Sequence, residues 1–98
     1  MAKQLNNEKR FLIIHMTWRE YVAASDRFGW CDLCSTDDFE HGGYYIPTID
    51  QWYCEKCYKA WYESAAHYKS DMEEERYRFN EMRNKLKGLG VWNEEPRL

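Results

Sequence analysis

The four cysteines restrict the fold of this chain more than any other feature, because they occur as two closely spaced pairs. Two residues separate Cys31 from Cys34 and two separate Cys54 from Cys57, with nineteen residues between the pairs. This short spacing lets both thiolates of a tight turn point at one ion, and a second pair completes a tetrahedron around it. The pattern therefore predicts that two turns distant in the sequence meet at a metal ion.

Zinc is the ion that the pattern favours, as one structural ion per chain held by all four cysteines. An iron centre of the rubredoxin type also uses four thiolates, but the glycine typical of that family follows neither pair. Disulfides are less favoured because we expect a reducing compartment, and nothing places either pair in a thioredoxin-like unit. A metal would also help a chain of 98 residues, which buries only a limited core.

The order of the pairs and of the segments between them resembles the broad treble-clef class of zinc fingers. In that class a knuckle supplies two ligands, a hairpin follows, and the start of a helix supplies the other two. Here the knuckle would span 30–35, the hairpin about 39–53 with Gly42-Gly43 as a bend, and the helix would open at 54–57. The finger spans about residues 30–60, and the resemblance covers roughly residues 30–65 and implies a fold rather than a function. We predict a small α+β zinc-binding domain in which an N-terminal helix and a long C-terminal helix accompany this treble-clef-like finger.

The predicted helices lie on either side of the finger's hairpin. Thr17 and Glu20 have the spacing of a capping box, which predicts a helix from about residue 18 to 27 that Gly29 ends. Residues from about 55 to 87 contain neither proline nor glycine and carry an apolar stripe with heptad-like spacing. We predict one long helix there, with a loose tail over 88–98, and we expect residues 1–10 to be frayed.

The long helix also carries a prediction about oligomeric state. At 1.5 Å per residue it would be about 50 Å long, so part of it would project from a small domain. An uncovered apolar stripe is costly to expose, so we expect a homodimer through this helix unless the tail folds back through Trp92. The stripe consists of Trp61, Ala65, Tyr68, Met72, Phe79, Met82 and Leu86.

The composition argues against secretion and against a membrane span. No apolar run approaches the ~20 residues that a span needs, and the N-terminus lacks the apolar stretch and cleavage site of a secretory signal. The longest apolar run, residues 11–14, suits a core segment that is either strand or helix. We therefore expect a soluble, cytoplasmic protein with residues 1–98 in one domain.

The charge of the finger argues against nucleic acid as its partner. The whole chain has a formal net charge of −3, but residues 28–58 contain one basic residue, Lys56, and six carboxylates, which gives −5. Affinity for nucleic acid comes largely from lysine and arginine side chains that neutralise phosphates. We therefore predict that nucleic acid is not the partner. A nucleic-acid-binding zinc finger is kept as the first alternative.

A nuclease of the HNH type is the second alternative. Such enzymes can carry a treble clef with two cysteine pairs, but their chemistry needs a histidine base and further metal ligands. The finger holds one histidine, His41, while His15 and His67 lie far from it in the sequence. Four cysteine ligands would also close the coordination sphere, so we predict that the protein is not an enzyme.

A protein with a basic surface is the partner that we favour. Acidic side chains steer basic partners toward a surface, and tyrosine and tryptophan are enriched at interfaces. We expect a regulatory or inhibitory module, such as a phage or mobile element would direct against a basic, nucleic-acid-handling protein. The predicted contacts lie in the loop 37–53 and in the acidic helix segment 71–75, and they are Asp37, Asp38, Glu40, Tyr44, Tyr45, Trp52, Asp71, Glu73, Glu74 and Glu75.

Overall fold

A four-stranded antiparallel sheet organises residues 2–25, 30–36 and 39–93, the part of the chain that the computed structural model describes. In chain order the elements are β1 (Lys3–Leu5), β2 (Ile13–Met16), α1 (Trp18–Ser25), β3 (Gly43–Ile46), β4 (Gln51–Cys54), α2 (Glu55–Ser64), a 3-10 turn (Lys69–Asp71) and α3 (Met72–Gly88). The strands lie in the order β1-β2-β3-β4, so β1 and β4 are the outer strands of the sheet.

Helices cover both faces of this sheet. Successive side chains along a strand point to opposite faces, and the tyrosine pair of β3 shows both directions. The ring of Tyr44 stacks on Tyr58 of α2, with ring centroids 4.2 Å apart. On the other face, Tyr45 contacts Trp52, which in turn packs edge-on against Tyr21 of α1 with centroids 5.1 Å apart. Strand β3 is consequently buried at every position, as expected for a strand covered on both sides.

The N-terminal helix begins where the capping box predicts. The Thr17 backbone N–H donates to Glu20 Oε1 at 2.8 Å, and the Glu20 N–H donates to Thr17 Oγ1 at 3.3 Å. This reciprocal pair satisfies two amides that the first turn of a helix leaves without partners. The capping box is therefore confirmed, while the predicted end of the helix near residue 27 and its stop at Gly29 lie outside the described residues.

The prediction of a frayed N-terminus and a loose C-terminal tail is wrong, because the two segments bind each other. Ala2 is fully buried, and its N–H donates to the carbonyl of Val91 at 2.9 Å. The N–H of Asn93 donates back to the carbonyl of Ala2 at 2.8 Å. Residues 3–5 then form β1, which pairs with β2. Strand β2 contains part of the apolar run, which is therefore a strand and not a helix. Residues 94–98 of the tail lie outside the described residues.

The single long helix predicted over 55–87 is also wrong, because the chain leaves the helical conformation after Ser64. Lys9, in the connection between β1 and β2, donates from Nζ to the backbone carbonyls of Tyr62, Glu63 and Ala65. A continuing helix would need these carbonyls for its own next turn. A cation at the C-terminal end of a helix is also favoured by the helix dipole. A side chain more than 50 positions away thus caps the C-terminal end of α2.

A buried carboxylate holds the second of the two helices against the sheet. Glu75, which interrupts the apolar stripe in the sequence, is only 2% exposed. Its Oε2 accepts the backbone N–H of Leu12 at 3.0 Å, and its Oε1 lies 2.8 Å from His67 Nε2. The redirected chain fits within 33 × 32 × 23 Å, whereas one straight helix would need about 50 Å.

The apolar side of α3 is covered by its own chain. Leu86 is fully buried, Phe79 is 5% exposed, and the ring of Trp92 lies 6.1 Å from that of Phe79. The reason for expecting a homodimer through this helix is therefore removed. Tyr68 and Met72, two other members of the predicted stripe, are exposed. No helix among the described residues is both long enough and apolar enough to span a membrane.

Candidate metal centre

The hairpin of β3 and β4 delivers the second cysteine pair to the first. Cys54 is the last residue of β4 and occupies the N-cap position of α2, and Cys57 lies in the first turn of that helix. The hairpin reverses at residues 47–50, not at Gly42-Gly43 as its sequence suggested. Gly42 instead has a φ of +84°, and a Cβ there would collide with the carbonyl oxygen of Met16. That glycine is needed for close approach to β2.

The four sulfur atoms lie close enough together to hold one ion. Each of the four Sγ atoms is within 4.8 Å of the others, and Cys34 Sγ lies 3.8 Å from Cys54 Sγ. A tetrahedral ion with thiolate ligands at about 2.3 Å separates its sulfurs by about 3.8 Å. None of the cysteines forms a disulfide. The structure therefore assembles a set of four thiols that can hold one metal ion, as the spacing predicts.

Backbone amides stabilise the sulfur of Cys31. The N–H groups of Leu33 and Cys54 donate to Cys31 Sγ at 3.5 and 3.4 Å. Burial raises the pKa of this thiol, but hydrogen bonds from the backbones of Cys34, Cys54 and Leu33 outweigh burial and lower its pKa to about 7. Such hydrogen bonds orient a metal ligand and favour its ionised form.

The other buried thiols depend more on a cation. Burial, which leads the causes, raises the pKa of Cys54 and of Cys57. At Cys57, side-chain hydrogen bonds in which its thiol donates to Cys34 and Cys54 raise the pKa further. A bound metal ion would supply the positive charge that makes several adjacent thiolates stable. Burial thus favours the neutral form of Cys54 and Cys57 on their own, whereas a bound ion would favour their ionised form.

Asp32 fastens the knuckle to β4, a role that charge counting did not suggest. Its N–H donates to the carbonyl of Trp52 at 2.8 Å, and its Oδ2 accepts the Trp52 N–H, also at 2.8 Å. Asp32, which directly follows Cys31, thus pairs with the outer edge of β4, the strand that ends in Cys54. Its position inside the first cysteine pair is the sequence signal that could have indicated this role.

Two further acidic residues of the finger have structural partners. Asp50 accepts the hydroxyl of Tyr45 at 2.8 Å. Glu55 pairs with Lys59 at 2.8 Å and lies 3.9 Å from His41 Nδ1. The net charge of −5 therefore overstates the charge that is available to a partner.

Two of the ten predicted partner contacts cannot be placed, and three others are in the core. Asp37 and Asp38 lie outside the described residues. Tyr44, Tyr45 and Trp52 are 8%, 3% and 5% exposed. The expectation that these rings are exposed is wrong, because helices cover both faces of the hairpin.

The remaining predicted contacts differ in exposure. Glu40, Glu73 and Glu74 are exposed, and Asp71 is half-buried. Glu75 is buried and bonded within the chain, so its carboxylate is not exposed to a partner in this structure. The structure brings Glu73 and Glu74 together on α3 and leaves Glu40 near the metal centre.

A cleft beside the metal centre is lined by residues of the finger, His41 among them. The cleft has a volume of about 350 Å³, and its lining includes Cys34, Glu40, His41 and Glu55. The side chain of His41 is 65% exposed. His15 Nε2 lies 2.8 Å from the backbone oxygen of His41 rather than from its ring. A general base needs an oriented partner within hydrogen-bond reach, and the 3.9 Å separation from Glu55 is longer than that.

No protein-family model, curated protein or solved structure matches this chain. We therefore choose among the candidate functions by the geometry of the four thiols and by the exposed surface.

Proposed function

We propose that the protein is a zinc-stabilised interaction module that acts without catalysis. The observation that carries the proposal is the set of four sulfur atoms within 4.8 Å of one another. Four thiolates fill a tetrahedral coordination sphere and leave no open position for water or substrate. An ion held in this way stabilises a fold, and its binding free energy becomes folding free energy.

A treble-clef-like finger is the arrangement that we propose around the ion. The knuckle at 31–34, the β3–β4 hairpin and the first turn of α2 follow one another in the order that this class uses. Zinc is favoured over iron because neither cysteine pair is followed by the glycine typical of rubredoxin-type centres.

A protein with a basic surface is the partner that we propose. Glu40, Glu73 and Glu74 are exposed carboxylates, of which Glu74 also lies 3.4 Å from Arg78 Nη2, and exposed carboxylates orient basic partners. Leu33 at the knuckle and Tyr77 on α3 are 60% and 67% exposed, and they add apolar contact area that the sequence did not single out. A module of this type, whether cellular or carried by a phage or mobile element, would regulate or inhibit its target by covering a surface.

Elemental analysis and three binding or activity assays test the proposal. We expect one zinc per chain, passage through DNA and RNA columns at physiological salt, and no metal-dependent cleavage of plasmid DNA. Cross-linking in the native cell, read by mass spectrometry, should give a protein with a basic surface. The cross-link should be lost in a Glu73→Lys/Glu74→Lys variant and kept in Glu63→Lys, a matched charge reversal at an exposed site of α2.

A result opposite to any of these expectations contradicts a different part of the proposed function. Protein without zinc removes the metal centre, tight retention on nucleic acid favours a nucleic-acid-binding finger, and plasmid cleavage favours a nuclease. Cross-links that survive the double reversal remove α3 from the interface.

A further inference from the structure

The outward face of α3 carries an exposed aromatic ring beside two carboxylates of the preceding turn. Tyr77 is 67% exposed, more than any other large apolar side chain in the described ranges. Glu73 precedes it by four residues and Glu74 by three, and residues at these spacings are neighbours on a helix surface. Together with Arg78 they line a groove of about 600 Å³.

Neither core packing nor helix stability explains the ring. The buried side of α3 is formed by Glu75, Phe79 and Leu86, whereas Tyr77 lies on the opposite side. Carboxylates in the first turn stabilise a helix by interacting with its dipole. This explains the presence of Glu73 and Glu74 but not that of Tyr77. Tyrosine is also a weaker helix former than alanine, lysine or glutamate. An exposed ring at this position therefore has no local stabilising role.

The inner wall of the groove is fixed by contacts with the hairpin. Arg78 Nη1 donates to the carbonyls of Pro47 and Thr48 at 3.1 and 3.4 Å. Its Nη2 lies 3.4 Å from Glu74 Oε2. Arg78 is thus engaged with its own chain, and it orients Glu74 beside the ring. A wall held in this way reduces the ordering cost of binding.

We propose that this groove binds an arginine side chain presented by a basic protein segment. A guanidinium can lie flat on the Tyr77 ring, because the ring face attracts cations. Its planar fork can also pair with a flanking carboxylate through two hydrogen bonds. Lysine supplies the charge but not the flat, forked geometry. The inference rests on the proposed function, and it names the residue type that the basic partner presents.

Titration of the zinc-loaded, isotope-labelled protein with two synthetic peptides tests this inference. One peptide alternates arginine and glycine, and the other alternates lysine and glycine at the same length. We expect amide shifts at residues 73–78 and tighter binding of the arginine peptide by about two- to fivefold, the range of an exposed cation–π contact. Tyr77→Ala should remove this preference, and Tyr77→Phe should keep it.

Tyr68→Ala is the matched control, because Tyr68 is 62% exposed but does not line the groove. It should leave both affinities unchanged. Equal affinities for the two peptides, an arginine preference that survives Tyr77→Ala, or shifts centred on Glu40 would each overturn the inference. Zinc content and nucleic-acid retention are measured separately, so this inference can fail while the zinc-stabilised module stands.

Discussion

Two buried hydrogen-bond acceptors tie distant segments of this chain together, one at the metal centre and one at the start of α3. Cys31 Sγ accepts the N–H of Cys54 at 3.4 Å, and Glu75 Oε2 accepts the N–H of Leu12 at 3.0 Å. A metal ion would complete the first centre. The second is completed by His67, whose Nε2 lies 2.8 Å from Glu75 Oε1.

The difference between the two centres is that only the first leaves a pattern in the sequence. A tetrahedral ion needs four ligands, and two tight turns impose a fixed spacing on them. A carboxylate needs only one residue, and the partners of Glu75 come from 63 and 8 positions away. Chemistry that constrains neighbours in the chain can be read from the sequence, whereas chemistry that joins isolated residues requires the fold.

Removal of the metal should have the largest effect. We expect Cys54→Ser, or chelation of the native protein, to abolish the fold of the finger. Zinc binding in small finger peptides is worth about 10–16 kcal/mol, comparable with the ~5–15 kcal/mol of a whole domain. Metal content, tryptophan emission and amide exchange of β4 provide the measurement. A Cys54→Ser variant that keeps native exchange protection would show that the metal centre is dispensable.

Loss of the buried carboxylate should destabilise the protein while leaving its metal in place. Glu75→Ala leaves the Leu12 N–H and His67 without their acceptor, which should cost about 2–4 kcal/mol. Glu74→Ala is the matched control at an exposed site and should cost below about 1 kcal/mol. Urea unfolding gives both values, and elemental analysis should give the same metal content for all three proteins. Equal stability of the two variants would show that the Glu75 centre does not hold distant segments together.

Lys9 tests the end of α2, which lies between the two centres. Lys9→Met keeps most of the apolar stem but removes the ammonium that three carbonyls share. We expect a loss of about 1–3 kcal/mol, the range for hydrogen bonds to a charged group. Lys3→Met, a change at an exposed site of β1, serves as the control. If both variants unfold at the same urea concentration as the native protein, the break after Ser64 has another cause.

Asp32 should have the smallest effect of the four changes, and it should appear at the metal centre. Asp32→Ala removes the acceptor of the Trp52 N–H but keeps the backbone bond to the Trp52 carbonyl. We expect about 1 kcal/mol of lost stability and faster transfer of zinc to a chelator. Asp32→Asn, which retains a side-chain oxygen, should release zinc at nearly the native rate. A slower release from the alanine variant would contradict the assigned role.

Features that depend on neighbouring residues could be predicted from the sequence. The capping box of Thr17 and Glu20, the arms of the hairpin and the convergence of two cysteine pairs all depend on short spacings. In each case the signal is a short spacing within one turn or one strand, and for the cysteines the same short spacing occurs twice.

The errors arose where a distant residue decided the local structure. The break between α2 and α3 occurs in a stretch with high helical propensity, and it coincides with contacts to residues outside that stretch, Lys9 at the end of α2 and Leu12 at Glu75. Tyr45 and Trp52 suggested an exposed surface because a hairpin alone could not bury them. The sheet has two further strands, and a helix layer covers each face. The chain order gave no indication of how these layers stack.

The knuckle also covers the outer edge of the sheet, where another copy of the chain could otherwise pair with β4. β4 is the last strand of its sheet, and the outward groups of Trp52 and Cys54 are occupied by Asp32 and Cys31. A chain that loses its ion would free these groups, and an open strand of this kind is a template for aggregation. Zinc supply would then set solubility as well as stability, which light scattering after chelation would measure. Newly made chains would be most at risk of joining one another during the interval before they are loaded.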